Sequence, residues 1–281
     1  MYTCLVEEQN DQEAFFQVYW SRAEHLGEAI DLILSAARLN GLTNPIVREC
    51  DPYDINNLER DVEPNIESEV FWSTSKHFFP PEPVFNLPVG IISSCIEGEH
   101  DIDELEAGYT EQLEEGLITI EINAEESRLF NLYKNIVSLY SYYKVFWYVL
   151  HYHWEDEDSD IFLVNEEINT PEKIISHIEV NKANSLLNGY VTLTAFLEEG
   201  STNICITDHK RLIIRTYSEL VAARIKKILK AKKYQEHEYM VNIEYRMHHW
   251  HYRIKDSKRK EELSCFLKSV GFTIWEPTKS S

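Results

Sequence analysis

The 281-residue chain lacks the short motifs that identify the large enzyme classes. It contains no GxxxxGK[ST] or GxGxxG loop, so a glycine-rich cradle for phosphate groups is excluded. It has no HExxH metal motif and no GxSxG nucleophile turn. No two cysteines have CxxC spacing, so a zinc knuckle is not indicated. Because no catalytic motif is complete, the sequence favours a non-catalytic protein, and it assigns no catalytic residue, no metal ligand and no cofactor.

Signals for secretion and for membrane insertion are also missing. The segment from Met1 to Glu8 has no basic region followed by an apolar one. The longest apolar stretch, 129–150, contains Lys134 and Lys144, and a bilayer core tolerates such charges poorly. The five cysteines are odd in number and scattered, so we expect reduced thiols. These features predict a cytoplasmic protein without a membrane segment.

Positive charge is scarce over most of the chain. The net charge is −21, from 48 acidic and 27 basic residues. Residues 1–200 hold 39 acidic against 10 basic side chains, whereas residues 201–281 hold 9 against 17. An acidic surface attracts basic proteins and repels nucleic acid and anionic lipid. The first two-thirds of the chain therefore predict a basic protein partner.

The hydrophobic pattern predicts an α+β fold, with mixed or antiparallel sheets and helices packed on one face. We expect two α/β-type subdomains. The first is an acidic N-terminal α/β domain at 1–165, and the second is a C-terminal α+β domain at 166–281. The acidic run at 155–160 and the helix start at Thr170-Pro171 mark this boundary.

Several elements are predicted by local signals. The aromatic run Phe15–Trp20 favours a strand, and Ser21 is predicted to cap the helix that follows. The 129–150 stretch begins as a helix, and its end fits either a helix or a strand. Ser218 is expected to open a helix, and the alternation over 239–247 predicts a further strand before a last helix.

Histidines concentrate in two H-x-H pairs, His151/His153 and His249/His251, and His209 follows Asp208 in a predicted turn. Imidazole and carboxylate groups are common metal ligands, and an Asp–His pair suits acid–base chemistry. A partly buried aromatic surface is the stronger explanation for the two H-x-H pairs, and a polar turn is the stronger explanation for Asp208-His209. A metal- or histidine-dependent enzyme therefore stays an alternative.

A second alternative is an RNA-binding module in the basic C-terminal part. Lysines of the Ser218 helix, among them Lys226 and Lys227, are followed by a second basic run that begins at Arg253, and aromatic residues such as Trp250 interleave with some of these positions. Basic and aromatic side chains together are typical of RNA-stacking surfaces. The net charge of −29 in residues 1–200 disfavours nucleic acid as a partner.

The general organisation resembles that of immunity proteins from bacterial polymorphic toxin systems. The resemblance comes from the Phe15–Trp20 strand entering the Ser21 helix, the segment Asp51-Pro52-Tyr53-Asp54 and the acidic runs. It implies a toxin inhibitor that occludes the active site of a basic toxin domain with an acidic surface. The candidate partner-binding residues are Asp101, Asp103, Glu104, Glu106, Trp154, Glu155, Asp156 and Asp158.

Overall fold

The structure is a computed structural model that describes residues 1–9, 13–54, 62–64, 69–81, 84–96, 102–154, 159–244 and 247–275. Within these residues the chain forms two sheets and five α-helices, which confirms the predicted α+β class. None of the described helices combines the length and the apolar character that crossing a membrane requires.

The elements follow one another along the chain in this order: β1 (Tyr2–Gln9), β2 (Ala14–Ser21), α1 (Leu26–Leu39), β3 (Ile46–Pro52), β4 (Val62–Pro64), β5 (Val70–Ser73), β6 (His77–Phe79), β7 (Ile91–Ser93), β8 (Gly108–Glu114), β9 (Leu117–Asn123), α2 (Glu126–Val137), β10 (Val145–Leu150), β11 (Ile161–Asn165), α3 (Pro171–Val180), β12 (Val191–Leu197), β13 (Thr202–Ile206), β14 (Leu212–Thr216), α4 (Glu219–Ala231), β15 (Gln235–Glu236), β16 (His249–His251), α5 (Lys260–Ser269) and β17 (Thr273–Ile274).

The first sheet has the strand order β16-β7-β3-β1-β2-β5-β4, and β6 also pairs with β2. All its pairs are antiparallel except β3 with β7. Helix α1 covers one face, because its buried stripe, which includes Ile30 and Ile33, packs on Val6 and Tyr19 of the central strands. One edge strand of this sheet is β16, a three-residue strand from the C-terminal part of the chain.

The second sheet has the order β15-β8-β9-β14-β13-β12-β10-β11-β17. Its core is the larger one, and it buries residues of α2, α3, α4 and α5 against the strands. Two of these helices begin as predicted. The Thr170 hydroxyl, just before Pro171, accepts a hydrogen bond from the backbone amide of Lys173. The Ser218 hydroxyl accepts a hydrogen bond from the backbone amide of Val221.

The predicted division at 165/166 lies inside the second sheet. Strand β10 pairs with β11 on the N-terminal side of that point and with β12 on the C-terminal side. In addition, β16 leaves the C-terminal part and joins the edge of the first sheet. The C-terminal part thus contributes to both sheets, and β16 runs where the two sheets meet.

Two local predictions need correction, and one open alternative is decided. Ser21 ends β2 and does not cap a helix, since α1 begins only at Leu26. The predicted strand at 239–247 does not form, because its described residues run as coil and turn with Met240, Ile243 and Met247 buried. The apolar residues that suggested a strand are side chains of a loop, and several of them are buried at irregular intervals. The 129–150 stretch resolves into a helix, α2, followed by a strand, β10.

The cysteine prediction is also wrong in part. Cys4 and Cys50 form a disulfide, whereas Cys95, Cys205 and Cys265 are free. The two bonded cysteines lie 46 residues apart in sequence but directly opposite each other in the β1–β3 pairing. Cysteine spacing alone does not reveal a cross-strand neighbour, so no sequence signal indicates this bond.

Candidate metal centre

Five histidines and one aspartate converge where the two sheets meet. We call them the histidine cluster: His151, His153, Asp208, His209, His249 and His251. They form two adjoining groups, His209 with His249 and His251, and His151 with His153 and Asp208. In each group, one potential ligand atom per residue lies within 4.8 Å of the others. Both H-x-H pairs and the Asp208-His209 pair of the sequence therefore belong to one site.

Each pair lies on, or directly beside, a different strand. His151 follows the last residue of β10, and His153 lies in the short turn of 3-10 helix over Tyr152–Trp154. Asp208 and His209 occupy the turn between β13 and β14. His249 and His251 are the two ends of β16, so the period of two along a strand places both on the same face. The rings of His153 and His251 approach to 4.6 Å between centroids, which joins the two sheets at this point.

The three rings of the first group are held in one tautomer. Nδ1 of His249 is 3.0 Å from the carbonyl oxygen of Met247, and Nδ1 of His251 is 2.5 Å from that of Gly189. A carbonyl oxygen only accepts, so Nδ1 carries the hydrogen in both rings. Nδ1 of His209 donates in the same way to the Asp208 carboxylate at 3.1 Å. Nε2 of each neutral ring is then left with a free lone pair, as metal binding requires.

The buried position of the rings keeps two of them uncharged. Burial lowers the pKa of His251 to about 3 and lowers the pKa of His249 as well. For Asp208, burial acts to raise the pKa, but the hydrogen bond from His209 and the neighbouring imidazoles outweigh it and lower the pKa. At neutral pH the site therefore combines an ionised carboxylate with two imidazoles, those of His249 and His251, that do not need to lose a proton before they bind a metal.

The second group is less open to a metal. Nε2 of His151 is 2.8 Å from the Thr192 hydroxyl, which also accepts from the backbone amide of Asp208. Nδ1 of His151 lies 3.5 Å from Asp160. Nε2 of His153 is buried without a hydrogen-bond partner, and it lies 3.6 Å from an oxygen of Asp208. A metal here would use His153 and Asp208 directly, whereas His151 would first have to release Thr192.

Two buried cations fix the turn that carries Asp208 and His209. Lys210 is buried, adopts a φ of 59°, and donates through Nζ to the carbonyl oxygen of Asn188 at 2.5 Å. Burial lowers its pKa to about 7. Arg211 is also buried and pairs with Glu121 of β9 and with Glu244, at 2.8 Å from the latter. The turn is therefore tied both to the second sheet and to the segment that leads into β16.

Four of the eight predicted partner-binding residues belong to the described part of the chain: Asp103, Glu104, Glu106 and Trp154. Asp103 pairs with Arg48 at 3.2 Å, and Glu106 pairs with His237 at 3.2 Å. Trp154 stacks on Tyr190 beside the histidine cluster, with 5.4 Å between ring centroids and 8° between planes. Glu104 is exposed in the turn that also contains Asp103. Asp101, Glu155, Asp156 and Asp158 lie outside the described residues.

Sequence reasoning singled out every histidine of the site but weighed each pair separately. What it missed is the convergence, since successive pairs are at least 40 positions apart in the chain. The repeated H-x-H spacing was the available signal, because it places two imidazoles on one face of a strand. Thr192, Asp160 and Gly189, which contact the rings, had no signal in the sequence.

Comparison with protein-family models, with curated proteins and with solved structures finds no match for this chain. The interpretation of the site therefore rests on its own geometry.

Proposed function

We propose that the protein binds zinc, or a divalent ion of similar chemistry, at His209, His249 and His251, and that it uses the ion for hydrolysis. One observation carries this proposal. All three rings donate Nδ1–H to an oxygen, which leaves Nε2 of each ring for a ligand, and one ring nitrogen of each residue lies within 4.8 Å of those of the other two. Metal-bound histidines almost always have such an oxygen partner on the other ring nitrogen.

The donor set favours this class of ion. Imidazole nitrogen suits zinc, copper, iron and nickel, whereas calcium and magnesium prefer oxygen ligands. Three protein ligands leave one position of a tetrahedral zinc site open, which is the pattern of catalytic sites; structural sites use four. An ion held in this way supplies a Lewis acid and an activated water molecule. The adjacent Asp208 carboxylate is placed to orient His209 and to accept a hydrogen bond.

Metal content tests the proposal. After equilibrium dialysis against zinc and removal of free metal, the wild-type protein should retain at least one zinc per chain. His249→Ala removes one Nε2 ligand and should lose stoichiometric zinc, with an affinity reduced at least about 100-fold. The matched control is His77→Ala, because His77 is exposed on β6. Equal zinc content in all three proteins, or none in the wild type, would contradict the proposal.

A second candidate function is the inhibitor of a basic protein, as in immunity proteins. The observation in its favour is the exposure of the acidic side chains, which is 78% for Asp103 and 55% for Glu106. Because both carboxylates are largely open to solvent, their charge is available to a partner, although each already has a less exposed basic neighbour, Arg48 or His237. The whole chain keeps a net charge of −21, and an acidic surface accelerates association with a basic protein.

This candidate is tested with the toxin domain encoded beside the gene, if one is present there. Charge reversal by Asp103→Lys together with Glu106→Lys should slow association about tenfold or more at low salt, and added salt should slow the wild-type protein similarly. The control is Glu172→Lys, an exposed acidic position in the first turn of α3. An association rate that responds to neither change would count against the inhibitor.

A further inference from the structure

A cavity of about 440 Å³ borders the histidine cluster at His251. Its walls come from both sheets, since residues of β1, of the start of α1 and of β16 in the first sheet lie opposite Trp154 and Tyr190, which are next to β10 and β12 of the second sheet. The volume falls in the range of cavities that hold small organic ligands. A ligand in this cavity would lie against one of the three proposed metal ligands.

The charge of the cavity wall is opposite to that of the protein. Arg253 and Arg259 both line it, and none of the described lining residues is an aspartate or a glutamate. Neither guanidinium forms an ion pair with a carboxylate among the described residues. Arg253 donates from Nη1 to the carbonyl oxygen of Ser257 at 2.7 Å, which orients its planar group and leaves other N–H groups for a ligand. In a chain with a net charge of −21, this is a local site for an anion.

Flat aromatic rings make up much of the remaining wall. Trp154 and Tyr190 are stacked in parallel, and Tyr190 is fixed because its hydroxyl donates to the backbone carbonyl of His251 at 2.7 Å. Trp250 is 38% exposed, and its indole N–H donates to Asp51 at 3.0 Å. Rings held in fixed orientations can stack on a planar ligand with little loss of conformational freedom.

We propose that this cavity binds an anionic ligand that carries a flat aromatic ring, the chemistry of a nucleoside monophosphate, and holds it beside the metal centre. The two arginines take the phosphate group, and Trp154, Tyr190 or Trp250 stacks on the ring. The role of such a ligand as substrate rests on the proposed metal-dependent function. Its binding does not, because the arginines and the aromatic rings are present without a metal.

Binding of AMP to the EDTA-treated protein tests the inference by calorimetry. AMP should bind, and adenosine should bind at least about tenfold more weakly because it lacks the charged group. Inorganic phosphate, which cannot stack, should also bind more weakly than AMP. Arg259→Ala should weaken AMP binding at least about tenfold. Arg38→Ala is the control, since Arg38 is an exposed arginine near the other end of α1.

Several outcomes would overturn the inference. These are equal affinity for AMP and adenosine, equal affinity for AMP and phosphate, unchanged affinity in Arg259→Ala, and no AMP binding at millimolar concentration. Binding that appears only with zinc and ignores Arg259→Ala would place the anion on the metal, which refutes this inference and leaves the metal centre standing. AMP binding by a protein that retains no zinc after dialysis would support this inference and refute the metal centre.

Discussion

Zinc is expected to raise the free energy of unfolding by about 4 kcal/mol when free zinc is about 1,000-fold above its dissociation constant. The reason is the separation of the ligands along the chain. His209 lies in the β13–β14 turn, and His249 and His251 lie on β16 in the other sheet. The unfolded chain does not hold these rings together, so binding stabilises the folded state alone. Urea denaturation with zinc and with EDTA measures the difference.

Urea denaturation of His251→Ala, with zinc and with EDTA, distinguishes binding at this site from general effects of zinc on stability. In this variant the zinc-dependent increase should disappear, whereas His77→Ala should keep it. His251 also contributes to the cavity wall, so His249→Ala serves as a second variant, and both must unfold cooperatively in EDTA. A zinc effect that is absent in the wild type, or equally large in both variants, would argue against the site.

Replacement of Arg48 by methionine is expected to cost about 3–5 kcal/mol of stability. Nε of Arg48 lies 3.3 Å from the Glu7 carboxylate, and both side chains are only 3% exposed. Nη1 of Arg48 also donates to the carbonyl oxygen of Phe85 at 3.0 Å. Methionine keeps most of the apolar stem but leaves Glu7 buried without its cation. Burial already raises the pKa of Glu7, and Arg48 partly offsets that rise.

A second substitution distinguishes this mechanism from a packing defect. Glu7→Gln added to Arg48→Met removes the buried charge and should recover a large part of the lost stability. Arg38→Met, at an exposed position of α1, should change stability by no more than about 0.5 kcal/mol. A loss below about 1 kcal/mol for Arg48→Met, measured by urea denaturation, would show that the pair contributes little. The result bears on the site because β3 carries Arg48 and supports β7, which pairs with β16.

Local signals predicted much of the fold because they act over a few residues. The Thr170 and Ser218 hydroxyls cap α3 and α4 through amides three residues ahead, and a reader of the sequence can see both partners. The change from α2 to β10 was not visible in the same way, because the apolar residues at 145–149 fit either a helix or a strand.

Long-range pairing could not be predicted in this way. The placement of β16 beside β7, and of Cys4 opposite Cys50, depends on which strands become neighbours in the sheet. The same difficulty applies to prediction of the site. Each histidine pair was visible, but only the topology shows that His153 and His251 are in contact. The hydrogen bonds that fix Nδ1 come from Met247 and Gly189 carbonyls, which no side-chain motif encodes.

The most direct test of the metal centre is a crystal structure of the zinc-soaked protein with anomalous diffraction recorded on both sides of the zinc absorption edge. The strongest zinc peak should lie between His209, His249 and His251, with each Nε2 at about 2.0–2.1 Å from the ion. Zinc peaks found only on surface carboxylates or at Cys265, with no peak beside the three imidazoles, would contradict the account.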